Sequence, residues 1–208
     1  MLKKEKLVSL ILAVIGVMLV GTGVAFNAAA ALGNDSVGIV YDGIRNVARL
    51  SPEQLGVASN IVNVALIVVV FFTGRHYVNI GTFIYIIPYG VAVDFGGKLY
   101  HMLFQVQTLP FQITGAALGC LLLYTGVAMF ITADIGLDPF TGIVMVIRDR
   151  LKKEYKYVKI GFDIVCIILG FSLGGKLGAI TVITAFLAGP YIQFLSDILK
   201  KLVKGDGK

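Results

Sequence analysis

The sequence predicts an all-α polytopic membrane protein made of two homologous halves. Each half carries one long helix, a helix break, a short helix and two further spans. Three observations predict it: the composition, an internal repeat and the placement of the basic residues. Of 208 residues, 57% are hydrophobic and 14% are charged, and the mean hydropathy is +0.88. Soluble domains carry about 25% charged residues, so most of this chain belongs in lipid. The repeat pairs TGVAFNAAAALGNDSVGIVYDGIR, Thr22 to Arg45, with TGVAMFITADIGLDPFTGIVMVIR, Thr125 to Arg148. One constant offset sets Thr22 on Thr125, Gly33 on Gly136, Asp35 on Asp138, Arg45 on Arg148 and Asn60 on Asp163. After a short deletion the match resumes with Thr82 on Thr181 and Gly90 on Gly189. Polar residues held in register over such a stretch argue for duplication, a common way to build a transporter. The halves are residues 1–100 and 101–208, joined in one transmembrane domain.

Lys3, Lys4 and Lys6 precede an apolar run from Leu7 to Leu32. A basic start and an alanine-rich end imitate a signal peptide. The copy of this run at 111–135 lies mid-chain, which favours a first transmembrane helix; about 20 apolar residues suffice to span. Gly33 then stops the helix, and Asp35 or Ser36 caps a new one. In the second copy Gly136 stops, Asp138 caps and Pro139 takes the first helical position, where its missing N–H costs nothing. Short helices follow at 36–49 and 139–150. Each is roughly 20 Å long, short of a ~30 Å hydrocarbon core. Further spans are expected at 54–73, at 78–95 with a kink at Pro88, at 158–174 and at 177–199. Residues 96–110 link the halves.

The basic residues address topology. If the short helices cross the membrane, each half has four crossings, and all but Arg75 and Lys176 of the 18 lysines and arginines fall on one side. If they are re-entrant, each half has three crossings, the halves are inverted, and Arg45, Arg49, Lys98 and Lys176 fall on the minority side. The count favours eight crossings mildly. Either way the basic side holds both termini, which places them in the cytoplasm. The net charge of +6 is thereby a topology signal, and no nucleic-acid partner is expected.

The chain resembles the YitT/YczE-type bacterial integral membrane proteins. The resemblance rests on an alanine-rich helix followed by Gly and an Asp-led short helix (Ala30-Ala31-Leu32-Gly33 to Asp35; Ala133 to Gly136-Leu137-Asp138-Pro139). It rests also on Ile80-Gly81-Thr82, Gly178 to Thr181 and Gly189-Pro190. It covers nearly the whole membrane region and implies the short form, without a soluble C-terminal domain. Proteins of this type are mostly of unknown function, so the resemblance implies a fold and a location in the bacterial plasma membrane and carries no catalytic residues over.

Asp35 and Asp138 lead the candidates for a substrate or ion site, because broken helices lining a cavity are where transporters bind solutes. The alternative role for each is a plain N-cap. Asn27 and Asp134 are added as neighbours. Asp163 and its counterpart Asn60 lie inside spans, where an ionisable group is costly and usually paired or functional. Arg148 and Arg45 are their expected partners. With Asp94 these four form an expected cytoplasmic polar cluster or gate. Cys120 and Cys166 lie in apolar runs, and no metal-ligand spacing, nucleotide loop or nucleophile–base pair occurs. No enzyme, metal or cofactor is expected. The leading function is a small-solute permease with a site between the repeats. The alternatives are a membrane scaffold or regulatory protein, and a lipid-binding or lipid-moving protein using basic loop 148–159. The expected partners are the bilayer, a small solute or ion and, since short duplicated bundles often dimerise, a second copy.

Overall fold

The computed structural model describes residues 2–204, which fold into eight α-helices with no strand among them: α1 Leu2–Ala30, α2 Ser36–Val47, α3 Leu55–Thr73, α4 Ile80–Leu103, α5 Leu109–Ala133, α6 Pro139–Leu151, α7 Tyr155–Ser172 and α8 Ala179–Lys204. Among the described residues four segments are long and apolar enough to cross a membrane: Lys6–Ala30, Pro52–Thr73, Leu109–Ala133 and Ala179–Leu202. Lys208, counted above among the basic residues, lies outside the described residues.

The centre is an antiparallel seam between α1 and α5, made of glycines. A Cβ on Gly16 would stand 2.8 Å from the Gly126 carbonyl oxygen, and one on Gly23 would stand 2.5 Å from the Leu123 amide nitrogen. Lipid tails are as apolar as leucine, so such close backbone packing is what holds membrane helices together. α4 runs parallel to α1: Gly21 meets Tyr89 and Ala92, Gly96 meets Thr22 and Ala25, and Phe26 meets Tyr100 at 5.4 Å. This packing explains why α4 continues through Gly96-Gly97 to Leu103, where the sequence suggested a linker from residue 96. α8 runs parallel to α5, with Tyr124 and Tyr191 at 6.1 Å and the Ser196 hydroxyl donating to the Ala128 carbonyl at 3.5 Å.

The two helix breaks have matching backbones. Ala31 and Asp134 both adopt left-handed φ values (59° and 54°), Gly33 and Gly136 are also positive, and so are Arg49 and Lys152 beyond the short helices. Each break is bound to the start of a span from the opposite half. Ile180 N donates to Leu32 O at 3.1 Å and Thr181 Oγ1 to Asn34 O at 2.6 Å. Correspondingly, Gly81 N donates to Ile135 O at 3.0 Å and Thr82 Oγ1 to Leu137 O at 2.9 Å. These bonds satisfy carbonyls that the broken helix would leave bare in a medium without water.

The short helices are exchanged in the same way. α2 lies along α7, with Gly43 against Gly170, and α6 lies along α3, with Gly142 against Val70 and Gly74 against Val146. Asn46, near the end of α2, donates to Gly174 O at 2.6 Å, while Arg148, near the end of α6, donates to the Tyr77 hydroxyl at 3.2 Å. α2 thus returns toward the end of the bundle where α1 finished, beside Ala28, Ala29, Lys98 and His101. α6 returns toward the end where α5 finished. The short helices turn back, as in the re-entrant alternative, and do not run on to the far end as the eight-crossing preference expects. α1 begins and α8 ends at the same end of the bundle, together with the exposed Arg150, Lys152 and Lys153.

Candidate functional site

Each short helix begins at an aspartate. The Asp35 carboxylate accepts from the Val37 and Gly38 amides, both at 3.3 Å. Asp138 accepts from the Thr141 amide at 3.0 Å, with Pro139 in the first helical position. Both are N-caps, and both also line one cavity of about 160 Å³. Every helix except α3 contributes to its wall. The breaks bring the two carboxyl groups there: each turns the chain back into the bundle before the short helix starts, from opposite ends.

A third carboxylate, Asp163 of α7, joins them. It accepts from Lys159 Nζ at 2.6 Å, one turn earlier on the same helix, and from the Ser36 hydroxyl at 2.6 Å. The expected Arg148–Asp163 pair does not form. Arg148 is carried by α6 to the α3–α4 turn, where it binds Asp149 at 2.7 Å and the Tyr77 hydroxyl. Tyr77 also donates to Asp149. These contacts hold the exposed Asp149 carboxyl below the usual carboxylate range, the Tyr77 hydroxyl first and the Arg148 guanidinium second.

Arg45 does not meet Asn60 either. It binds Asp42 at 2.7 Å, and the other oxygen of the buried Asp42 accepts from the Lys176 amide at 3.0 Å. Asn60 packs on the backbone of Gly90, and Asp94 accepts from the Gly56 amide at 2.9 Å. The single polar cluster expected from the sequence is therefore divided. Arg45 and Asp94 line a separate polar pocket at one end, Arg148 lies at the other, and Asp163 faces the central cavity. Asn27 is fully buried beside Gly119 and Cys120, off the cavity wall. Asp134 is the exposed left-handed cap of α5 and does not line the cavity.

Sequence reasoning missed the tyrosines. Tyr41, Tyr85, Tyr89 and Tyr124 all line the cavity, together with Phe130 and Phe140. Tyr85 and Tyr89, one turn apart on α4, stack at 4.9 Å. Tyr41 lies 5.9 Å from Tyr89 and 5.6 Å from Phe140, and its hydroxyl donates to Asn63 Oδ1 at 2.9 Å. The repeat does not carry these residues. The positions matching Tyr85 and Tyr89 are Thr184 and Ala188 of α8, which line the opposite wall. The available signal was the Tyr85–Tyr89 spacing next to Pro88 within an apolar span.

A model of a family of unknown function, DUF6198, matches residues 7–197. Similar proteins include the uncharacterised membrane protein YczE of Bacillus subtilis, 26% identical over 120 residues, which cover 58% of this chain and 54% of that protein. An uncharacterised protein of Haemophilus influenzae is 33% identical over 85 residues, 41% of this chain and 39% of that protein. The chain thus aligns to about half of the first and less of the second. No solved structure matches. A multi-pass helical bundle and a match over most of its length lead to one conclusion: the chain belongs to DUF6198, a family of YczE-type membrane proteins.

Proposed function

We propose that this protein is a small-solute permease whose two halves are inverted repeats and whose central cavity is the solute site. The observation that carries the reading is the convergence of Asp35 and Asp138 on one cavity, each at the start of a short helix beside a break. Supporting it are the antiparallel α1–α5 seam, the paired left-handed residues and the reciprocal hydrogen bonds at the breaks. Inverted repeats that surround a site at broken helices permit alternating access by rocking one half against the other. The end links, Asn46 to Gly174 and Arg148 to Tyr77, tie each short helix to a turn of the other half and would exchange as the halves move. The basic end, with both termini, faces the cytoplasm in this reading.

The test is flux into proteoliposomes, with solutes chosen by thermal shift across ions, amino acids, nucleobases and vitamins. A ligand raises stability by RT ln(1 + [L]/Kd), so millimolar binders register at tens of millimolar. Asp35→Asn and Asp138→Asn should stop flux while leaving the fold intact, because asparagine caps a helix about as well as aspartate. Unchanged flux in both variants would refute the reading. A scaffold role predicts no flux, and lipid handling predicts that only lipids shift the melt.

A further inference from the structure

We infer that the central cavity takes an organic cation, an ammonium group on a compact apolar body, held between the Asp35 and Asp138 carboxyl groups and the rings of Tyr41, Tyr85, Tyr89 and Tyr124. The inference rests on reading this cavity as the solute site. Four observations carry it. First, among the described residues the ionisable side chains on the wall are three carboxyl groups and one ammonium, apart from the tyrosines, and the ammonium is committed: Lys159 Nζ sits on both Asp163 oxygens, at 2.5 and 2.6 Å. Asp35 and Asp138 make no ion pair with a described residue. Their own helix-start amides are their partners. An anionic solute would find no uncommitted cation among the described residues of this wall, and the capping aspartates already cover the positive ends of α2 and α6.

Second, tyrosine faces are electronegative and attract cations most strongly where water is excluded. Third, Tyr124 lines the cavity while its hydroxyl is buried beside Thr184 and Cys120, so its ring is the part available to a solute. Fourth, Leu123, Val127, Ile167 and Ile192 complete the wall and suit an apolar body rather than a hydrated ion. Among the described residues no group of three His, Cys, Asp or Glu is placed to hold a bare metal ion.

The experiment uses three solutes with one shared body: 3,3-dimethylbutylamine, 3,3-dimethylbutan-1-ol and 3,3-dimethylbutanoate. Their affinities for the purified protein are measured by calorimetry at pH 7. The amine should bind at least tenfold more tightly than the alcohol, and the carboxylate most weakly. Asp138→Asn should erase the preference for the amine and leave the alcohol unchanged. Equal binding of amine and alcohol, tighter binding of the carboxylate, sodium binding that excludes the amine, or no binding of any of the three would overturn the inference. The permease reading fails separately. If the amine binds but proteoliposomes carry neither it nor any other solute, the cation site stands and transport does not. If Asp138-dependent flux is found for a neutral or anionic solute, transport stands and the cation assignment falls.

Discussion

Replacing Gly23 with alanine tests the seam that positions the cavity. The added Cβ would lie 2.5 Å from the Leu123 amide nitrogen, 2.6 Å from the Gly119 carbonyl oxygen and 2.8 Å from the Leu123 Cα. All three are backbone atoms of α5, so no side chain can rotate out of the way. The helices must separate by about 1 Å, and a gap of that size forfeits a quarter to a half of each dispersion contact along the seam. Overpacking typically costs about 1–3 kcal/mol, and a clash with backbone belongs at the upper end. Alanine returns about 1 kcal/mol of helix propensity over glycine. The net expectation is a loss of about 2 kcal/mol. Gly161→Ala is the control, because a Cβ there meets nothing within 4 Å. It keeps the propensity gain and should leave stability unchanged or raise it by up to about 1 kcal/mol. Both variants are compared with the parent by equilibrium unfolding in mixed micelles. Equal stability of Gly23→Ala and Gly161→Ala would refute the close α1–α5 packing.

Three further outcomes are expected. Thr82→Val and Thr181→Val each remove a hydroxyl that serves a break carbonyl, so each should destabilise by about 1–3 kcal/mol in the same unfolding assay, and by similar amounts because the bonds are reciprocal. Asp42→Ala strands the largely buried Arg45, whose side chain is 13% exposed, and should cost about 3–5 kcal/mol. The double variant Asp42→Ala/Arg45→Met should recover much of that loss. Asp149 is held below the usual carboxylate range, so its contacts stabilise the end of α6 fully above its unfolded pKa, and the stabilisation is lost as pH falls through the depressed folded value. Tyr77→Phe removes the largest cause and should make amide exchange at the C-terminus of α6 rise at a higher pH than in the parent.

Much of the chain was legible in its sequence. Composition set the solvent, because a chain this apolar cannot expose itself to water. The breaks were legible because Gly33 with Asp35, and Gly136 with Asp138 and Pro139, are local signals: a backbone that must turn needs glycine, and exposed amides need a cap. Aligning the two similar stretches of sequence set Asp35 on Asp138, and these two carboxyl groups share the cavity.

The partners of the charged groups were not legible. The sequence suggests Arg148 as the partner of Asp163 at the cytoplasmic end, yet packing of α6 on α3 takes Arg148 to Tyr77, and Lys159 serves Asp163 from one turn away. Nor could the sequence say which tyrosines meet. In lipid both faces of a helix are apolar, so the periodicity that marks the buried side of a soluble helix is lost, and Tyr85 and Tyr89 of α4 read like any other span residues. From its sequence alone this protein determined its membrane solvent, its two helix breaks and the capping aspartates that begin its short helices. Only the tertiary structure decided that those helices turn back, exchange between halves and enclose an aromatic cavity, because these outcomes depend on which glycine surfaces let two backbones approach across the bundle.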